Sequence, residues 1–333
     1  MKAGNISQTV WKRSIQKQLN KEKEEILFAP SMDEPCTGVC TGDRFVSVYA
    51  DAQTSGRSKK TGVYAVAAAM NDLMIRGAEV LGITLRITTP VFTSEAQLKA
   101  MISNVRVLCD KAGVPLAGIR AEVSPAVSQT IICAQAHGRI SRDRHWISAS
   151  DAVPGQDIVH IGYIGLEGML RILDEREEEL KKRFVPSFIR QIKDLDRYIF
   201  AGDMIRPVND YEISAVQQIG SGGIFASLWN LAEASGTGLN VELPEMSIRQ
   251  ETVEVCECYN LNPYQLTSAG SFLVVTPKGD ELVKALKGAG ARATRLGITT
   301  GDNDRVITSG EEKRYLDRPA PDELMLWWQK ALS

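Results

Sequence analysis

The sequence has few histidines and no long uninterrupted apolar run. None of its three histidines stands at a zinc-ligand spacing from the cysteines. The CTGVC and CEC segments therefore predict reduced, mostly buried thiols rather than a metal–thiolate site. The longest apolar runs, 62–75 and 157–166, are too short or too interrupted to cross a bilayer. Because MKAGNISQTVWKRS also lacks the apolar stretch of a secretory signal, we expect a cytoplasmic protein.

A strong charge of either sign is also lacking. The formal net charge of −2 gives no electrostatic footprint for nucleic-acid binding. With 333 residues, the chain is long enough for two domains that each bury a core. These features favour an enzyme-sized globular protein.

Neither common nucleotide-binding fingerprint is present. The sequence contains no GxxxxGK[ST], and GSGGIF (220–225) places Phe225 where the third glycine of GxGxxG would fall. GSGGIF still opens a predicted helix, so its backbone N–H groups could hold an anion. The alternative is that Ser221 is an ordinary N-cap and that the small residues allow close packing.

Strand-like and helix-like patterns alternate along the chain, which predicts an α/β or α+β fold. RFVSVYAD (44–51) alternates as a strand does, and KTGVYAVAAAMNDLMIRGA (60–78) is typical of a helix that ends at Gly77. The polar segment 142–157 is rich in turn-forming residues. It predicts two domains, 1–150 and 151–333.

The predicted helix 60–78 carries Asn71 and Asp72 inside an apolar run. A buried carboxylate is costly unless a cation or hydrogen-bond donors compensate it. An ion pair with Arg76, four residues later, would explain Asp72 but not Asn71. The sequence leaves a salt bridge, a cap and a ligand site as alternatives.

A second candidate site is the segment DAQTSGRSKKTG (51–62). It starts with Asp51 at a predicted strand end and continues through Lys59 and Lys60 to a helix start. Such a segment suits phosphate and Mg²⁺, and its alternative is a solvated basic loop. If the helix packs beside that strand end, we expect the carboxylates of Asp51 and Asp72 to converge on one cleft.

The order of these motifs resembles the AIR synthase (PurM) superfamily. AVAAAMNDLMIRGAEVLG is similar to its NDxxxxGA segment, and 157–168, 222–242 and 249–275 resemble its HypE-like branch. The superfamily includes hydrogenase-maturation HypE proteins, thiamin-phosphate kinase and selenophosphate synthetase. The match extends through most of the chain.

The resemblance implies a two-domain PurM-like fold. A four-stranded N-terminal sheet would pair with that of a second copy to form a homodimeric β-barrel, and the C-terminal domain would be an α/β sandwich. An apolar alternation on strands 44–50 and 80–89 is consistent with such sheet-to-sheet pairing. The resemblance also implies ATP in a cleft between the domains, Mg²⁺ held by acidic residues, and transfer of the γ-phosphate to an amide or other small acceptor.

The resemblance further implies roles for ten residues. Asp51 and Asp72 would be catalytic, and Mg²⁺ would be held by Asp51, Asp72 and Glu34. The nucleotide contacts would be Asn71, Gly118, Glu122, Lys59, Lys60, Gly222 and Gly223.

Three segments depart from the family's pattern. Pro35 stands where a metal-binding aspartate is expected, with an unaligned Asp33 nearby; GIRAE (118–122) replaces GGHTE; and GSGG (220–223) replaces TEGG. Losing a carboxylate should weaken Mg²⁺ binding, since Mg²⁺ uses few protein ligands. The chain also ends WWQKALS, without the terminal cysteine that HypE proteins modify.

Three functional hypotheses remain open from the sequence. The chain is an ATP-dependent enzyme acting on an amide-type acceptor, a catalytically degenerate dimeric binding or assembly protein, or a small-molecule kinase of the thiamin-phosphate type. The first and third depend on Asp51, Asn71, Asp72 and Glu122, and the second on the altered segments.

Overall fold

The computed structural model describes residues 4–19, 25–27, 31–32, 34–40, 42 and 44–332. Asp33, the candidate substitute for the missing metal ligand, lies outside them. Within the described ranges, every helix is too short or too polar to span a bilayer.

The N-terminal half contains a five-stranded sheet with the order β1-β2-β5-β3-β4. Only β3 and β4 pair in parallel. The strands are β1 Cys36–Cys40, β2 Phe45–Gly56, β3 Glu79–Thr89, β4 Leu116–Val123 and β5 Thr130–Ser141. The helices of this half are α1 Gln8–Ser14, α2 Thr61–Ile75 and α3 Glu95–Ala112. The resemblance implied four strands in this sheet, and β1 adds a fifth.

Helices α2 and α3 cover one face of this sheet. Small side chains let α2 lie close, and a Cβ at Gly62 would come within 2.8 Å of Val105 on α3. The side chains of Val48 and Ala50 on β2 are fully buried in this layer. The apolar alternation of strands 44–50 and 80–89 therefore serves helix packing and gives no support to a dimerisation face, and the sheet-to-sheet dimer stays a prediction.

The opposite face of the same sheet is open and mainly polar. Strand register places Asp51, Gln135, Thr84 and Gly118 in one row across β2, β5, β3 and β4. Neighbouring residues on a strand point to opposite faces, and Asp51 is exposed whereas Ala50 is fully buried. A single chain presents this open sheet and no closed barrel among its described residues.

The C-terminal half contains a mixed seven-stranded sheet with the order β12-β11-β8-β10-β6-β9-β7. Its strands are β6 Asp157–Ile161, β7 Ala215–Gln218, β8 Gly238–Glu242, β9 Phe272–Thr276, β10 Ala293–Thr300, β11 Arg305–Ser309 and β12 Glu312–Tyr315. The helices are α4 Leu166–Leu180, α5 Pro186–Asp194, α6 Gly223–Ser235, α7 Gln250–Tyr259, α8 Gly279–Gly288 and α9 Glu323–Leu332. Separate apolar cores, one including α6 and the other α8, contain side chains from this sheet.

A third core joins the two halves of the molecule. Apolar side chains of α4, α5, α7 and α9 belong to the same buried cluster as α2 and the N-terminal sheet. Trp327 and Trp328 of α9 are 6% and 7% exposed, and Trp328 Nε1 donates to Glu175 Oε2 at 3.2 Å. Helix α9 thereby packs against α4. The division of the domains at residue 150 stays a prediction.

Candidate functional site

Helix α2 buries both polar residues that the sequence singled out. Asn71 is fully buried and Asp72 is 6% exposed. Their neighbours on the helix are apolar and equally buried. Each polar group must therefore find its partner inside the protein.

Asp72 finds its partner in Arg76, four residues later on the same helix. Arg76 Nη1 donates to the main-chain oxygen of Asp72 at 2.9 Å and lies 3.4 Å from its Oδ1. Arg76 Nη2 lies 3.6 Å from Oε1 of Glu34, whose side chain is 6% exposed. Asp72 thus forms the ion pair with Arg76 that was one of the alternatives from the sequence. The pair is buried, and Arg76 also lies beside the carboxylate of Glu34.

Burial governs the protonation of this acid. It raises the pKa of Asp72 to about 6, while the charge of Arg76 opposes the rise and that of Glu34 adds to it. Glu34 also accepts hydrogen bonds from the Cys36 main-chain N–H at 3.1 Å and from Trp146 Nε1 at 3.4 Å. Both carboxylates are therefore committed to groups of the same chain.

Asn71 connects α2 to the C-terminal half. Its Nδ2 donates to the Ile199 main-chain oxygen at 2.8 Å and to Gln218 Oε1 at 3.2 Å. Its Oδ1 accepts from the Ala201 N–H at 3.0 Å, and Gln218 Nε2 donates to the Ala68 main-chain oxygen at 3.0 Å. The amide is fully used in holding the two halves together.

The structure separates Asp51 from Asp72. Asp51 lies on the open face of the sheet, where its Oδ1 accepts from Gln135 Nε2 at 2.9 Å, whereas α2 covers the other face. Strand β2 continues to Gly56, so Asp51 lies within the strand and not at its end. The expectation that the two carboxylates converge on one cleft was therefore wrong.

Gly118 and Glu122 share the open face with Asp51 but lie on the edge strand β4. Glu122 Oε1 accepts from Thr88 Oγ1 at 3.1 Å. Three strand spacings separate β4 from β2, which amounts to about 14 Å. Neither residue joins Asp51 in one site within a single chain.

The basic loop faces acids of the C-terminal half. Lys60 Nζ lies 2.7 Å from Asp196 Oδ2, while Lys59 is exposed. Ser58 Oγ donates to Asp174 Oδ2 at 3.0 Å, and the Arg57 N–H lies 3.4 Å from Glu175 Oε1. Because β2 takes up residues 51–56, the predicted phosphate loop is reduced to 57–60, and its donors contact carboxylates.

Gly222 and Gly223 form the entry of α6 with φ of 85° and 66°. A Cβ at Gly223 would come within 2.4 Å of the Tyr264 main-chain oxygen, so only glycine fits there. The Gly222 N–H donates to Asp322 Oδ2 at 2.6 Å, and Asp322 Oδ1 accepts from the Leu324 N–H at 2.8 Å. A carboxylate of the chain itself occupies the anion-binding position at this turn.

Sequence reasoning missed Asp322. Its position directly before α9 is a usual N-cap signal, but its contact with a turn 100 residues away has no local signature. The residue is 2% exposed, and burial raises its pKa to about 6. The hydrogen bonds from the two N–H groups lower the pKa and so oppose part of this rise.

Replacing Asp322 by alanine should lower the free energy of unfolding by about 2 kcal/mol at pH 7, because two buried N–H groups lose their acceptor. Urea unfolding followed by circular dichroism measures the change. The exposed Asp317→Ala is the matched control and should stay within about 0.5 kcal/mol. Equal losses in both variants would contradict the capping role.

A cavity of about 600 Å³ lies beside this turn. Its walls come from α1 and its cap, from the outer face of α6, and from the segment 318–322. Ser221 and Trp229 contribute to the lining, as do the charged residues Lys12, Arg318 and Glu233. The cavity therefore borders the GSGG segment, which the sequence identifies as a candidate nucleotide-binding turn.

The residues expected to hold Mg²⁺ do not fit such an ion. Asp51 is on the open sheet face, while Asp72 and Glu34 share Arg76. Across the described ranges, no three His, Cys, Asp or Glu side chains are grouped to hold a metal. All six cysteines are free, and three of them are buried.

Two family models match the chain. The model of the AIR synthase related protein N-terminal domain covers residues 35–140, and that of the C-terminal domain covers 153–309. Residues 310–333, which include Asp322 and α9, lie outside both.

Two similar proteins point to one branch of this family. The chain is 22% identical to a candidate hydrogenase expression/formation protein of Methanocaldococcus jannaschii, over 79% of this chain and 77% of the relative. It is 25% identical to the carbamoyl dehydratase HypE of Rhodobacter capsulatus, over 71% of this chain and 67% of the relative.

Solved structures show the same fold. Escherichia coli HypE, a hydrogenase maturation protein, superposes with a TM-score of 0.69 at 19% identity, covering 84% of this chain and 87% of HypE. A HypE in complex with ATP superposes with a TM-score of 0.65 at 19% identity, covering 86% and 88%. The chain therefore belongs to the AIR synthase-related (PurM) superfamily and is HypE-like within it.

Proposed function

We propose that this chain binds ATP in the cavity beside the entry of α6 and uses it to activate an oxygen of an amide-type or other small acceptor. The observation that carries the proposal is the cavity itself, which adjoins the GSGG turn and presents Lys12 and Arg318. Its volume of about 600 Å³ is in the range of small-molecule sites.

The charges of the lining suit a nucleoside phosphate. The carboxylate of Glu233 is balanced by Arg305 Nη2 at 2.8 Å and by Lys12 Nζ at 3.8 Å. Arg318 is exposed and available to a phosphate, while Trp229 offers an aromatic surface near the amide of Asn230. Asp322 already takes the Gly222 N–H, so the phosphates would rely on side-chain cations.

The family supports the choice of cofactor and acceptor class. One HypE has been solved with ATP, and another relative is a carbamoyl dehydratase. When bound, ATP would supply a phosphoryl group to the amide oxygen. That oxygen is a poor leaving group by itself and would then leave as part of a phosphate. A kinase of the thiamin-phosphate type would use the same ATP site and differ in its acceptor.

One further part of the proposal follows the family resemblance. A second copy of the chain would cover the open face of the N-terminal sheet, bringing Asp51 and Glu122 of each copy into an interface. The magnesium role of Asp51, Asp72 and Glu34 has no support in their geometry, and we assign no step to a metal held by them.

A catalytically degenerate binding or assembly protein is the second candidate function. The buried Asp72–Arg76–Glu34 cluster favours it, because these acids are neutralised within the fold. In this case the two-domain scaffold would persist without phosphoryl transfer.

Calorimetric titration with ATP, in EDTA and in Mg²⁺, separates the two candidates. We expect Lys12→Ala and Arg318→Ala each to weaken ATP binding about tenfold, which corresponds to about 1.4 kcal/mol. Lys17→Ala, also on the N-terminal segment but outside the cavity lining, is the matched control. Asp72→Asn should leave the affinity unchanged when folded.

Wild-type protein that shows no ATP binding up to about 1 mM would overturn the ATP proposal and leave the assembly role. Binding that is insensitive to Lys12 and Arg318 would move the site elsewhere. ADP formation that increases when a small carboxamide is added would favour the enzyme.

A further inference from the structure

Arg76 is among the largest fully buried side chains of the described chain, with 0% exposure. A guanidinium remains charged in proteins, and removing it from water is costly unless paired charges and hydrogen bonds compensate. The groups that compensate its charge therefore indicate the role of Arg76 in α2.

Its partners are two carboxylates and two main-chain oxygens. Asp72 and Glu34 supply the negative charges at 3.4 and 3.6 Å. The main-chain oxygens of Asp72 and Ile147 accept hydrogen bonds at 2.9 and 3.1 Å. The guanidinium also lies 5.6 Å from the Trp146 ring centroid.

We infer that Arg76 is the resident cation of this site and takes the place of the divalent metal that the family resemblance assigns to Asp72 and Glu34. The negative charges of the two acids are still compensated, but the positive charge comes from the Arg76 guanidinium. The inference deepens the proposed function, since ATP would then be bound without a metal at α2.

The surroundings of Glu34 agree with this inference. A second cavity, of about 930 Å³, reaches Glu34, so a cation has a route to the acid from that side. Its lining sets Arg142 and Arg144 against Asp143 and Asp151, so the cavity adds no excess of negative charge to that of Glu34 itself. The third expected ligand, Asp51, lies across the sheet.

Manganese binding to the nucleotide-free wild-type protein tests the inference directly. We expect electron paramagnetic resonance to detect no Mn²⁺ bound through Asp72 in the wild type. The wild type and Asp72→Asn should therefore give the same Mn²⁺ spectrum. About 5 mM Mg²⁺ should shift the melting temperature by less than about 1 °C, because a cation that does not bind the folded state cannot stabilise it.

The variant Arg76→Met tests the role of the guanidinium. It leaves two buried acids without a cation, and we expect the melting temperature to fall by about 10 °C. The double variant Asp72→Asn/Arg76→Met should recover part of this loss, because one of the two charges is removed with its partner. Arg106→Met is the matched control, since the exposed Arg106–Asp110 pair has the same i,i+4 spacing.

Mn²⁺ bound to the wild type in an Asp72-dependent manner would overturn the inference, as would an Arg76→Met variant as stable as the wild type. If Arg76→Met does not fold, the wild-type Mn²⁺ measurement decides alone. Because no nucleotide is present, a failure of ATP binding leaves these outcomes intact.

Discussion

Replacing Asn71 by alanine is expected to lower the free energy of unfolding by about 4 kcal/mol. The change leaves the Ile199 main-chain oxygen and the Ala201 N–H without their partner inside the protein. Each buried unsatisfied group costs about 1–3 kcal/mol. Urea unfolding followed by tryptophan fluorescence and by circular dichroism measures the loss.

This result distinguishes a structural tether from a nucleotide ligand. A residue whose main partner is a bound nucleotide would lose ATP affinity on substitution while the free protein kept its stability. Asn104→Ala is the matched control, because Asn104 donates only to the Ala100 oxygen within α3. Its effect should stay within about 0.5 kcal/mol. An Asn71→Ala protein as stable as the wild type would refute the tether.

Acid is expected to destabilise the protein through His160 on β6. This side chain is fully buried, and neither ring nitrogen has a hydrogen-bond partner among the described residues. Burial, assisted by the charge of Arg292, lowers the pKa of His160 from 6.5 to about 3. The neutral form is therefore favoured in the folded state.

The sign of the pH dependence follows from this lowered pKa. As the pH falls below 6.5, the unfolded chain takes up a proton at His160 before the folded protein does, so stability is lost towards pH 3. At pH 5 the share of His160 in the change is a loss of about 2 kcal/mol relative to pH 7. Because the raised pKa values of Asp72 and Asp322 act in the opposite direction, this share is measured as the difference between the wild type and His160→Leu in urea unfolding at the two pH values.

His160→Leu should remove this dependence, because leucine has no proton to gain. His145→Leu is the control, since His145 is 82% exposed on its side chain. Asp322 acts in the opposite direction: because its pKa is raised to about 6, its protonation stabilises the folded state in acid, and this proton-linked part is lost as the pH rises from about 4 to about 6. The two hydrogen bonds that its carboxylate accepts persist at pH 7. A His160→Leu protein with the same acid sensitivity as the wild type would contradict the assignment.

Much of the fold was predictable because its signals are local. Alternation identified β2 and β3, and helical patterning identified α2 and its end near Gly77. The ends of α3 are also set locally, by the capping box of Ser94 and Gln97 and by the left-handed Gly113. The family resemblance supplied the two-domain architecture, and the family models and solved structures confirm it.

The candidate site was less predictable because its contacts are not local. The sequence could show that Asp72 needed a partner and that Arg76 was four residues away. It could not show that Glu34 joins the pair, or that Asn71 bonds to residues about 130 positions later. Those contacts depend on how α2 packs against the second half of the chain.

The sequence by itself determined that α2 is apolar on most of its faces and that any polar group within it must be compensated, since burial without a partner is too costly. It also determined that Asp51 and Ala50 point to opposite faces of one strand. Only the tertiary structure decided which face the helices cover, and hence that Asp51 and Asp72 are apart. Likewise, it alone placed Asp322 at the glycine turn of α6. Periodicity determines to which face of an element each side chain points, whereas the packing of distant segments determines which residues that side chain contacts.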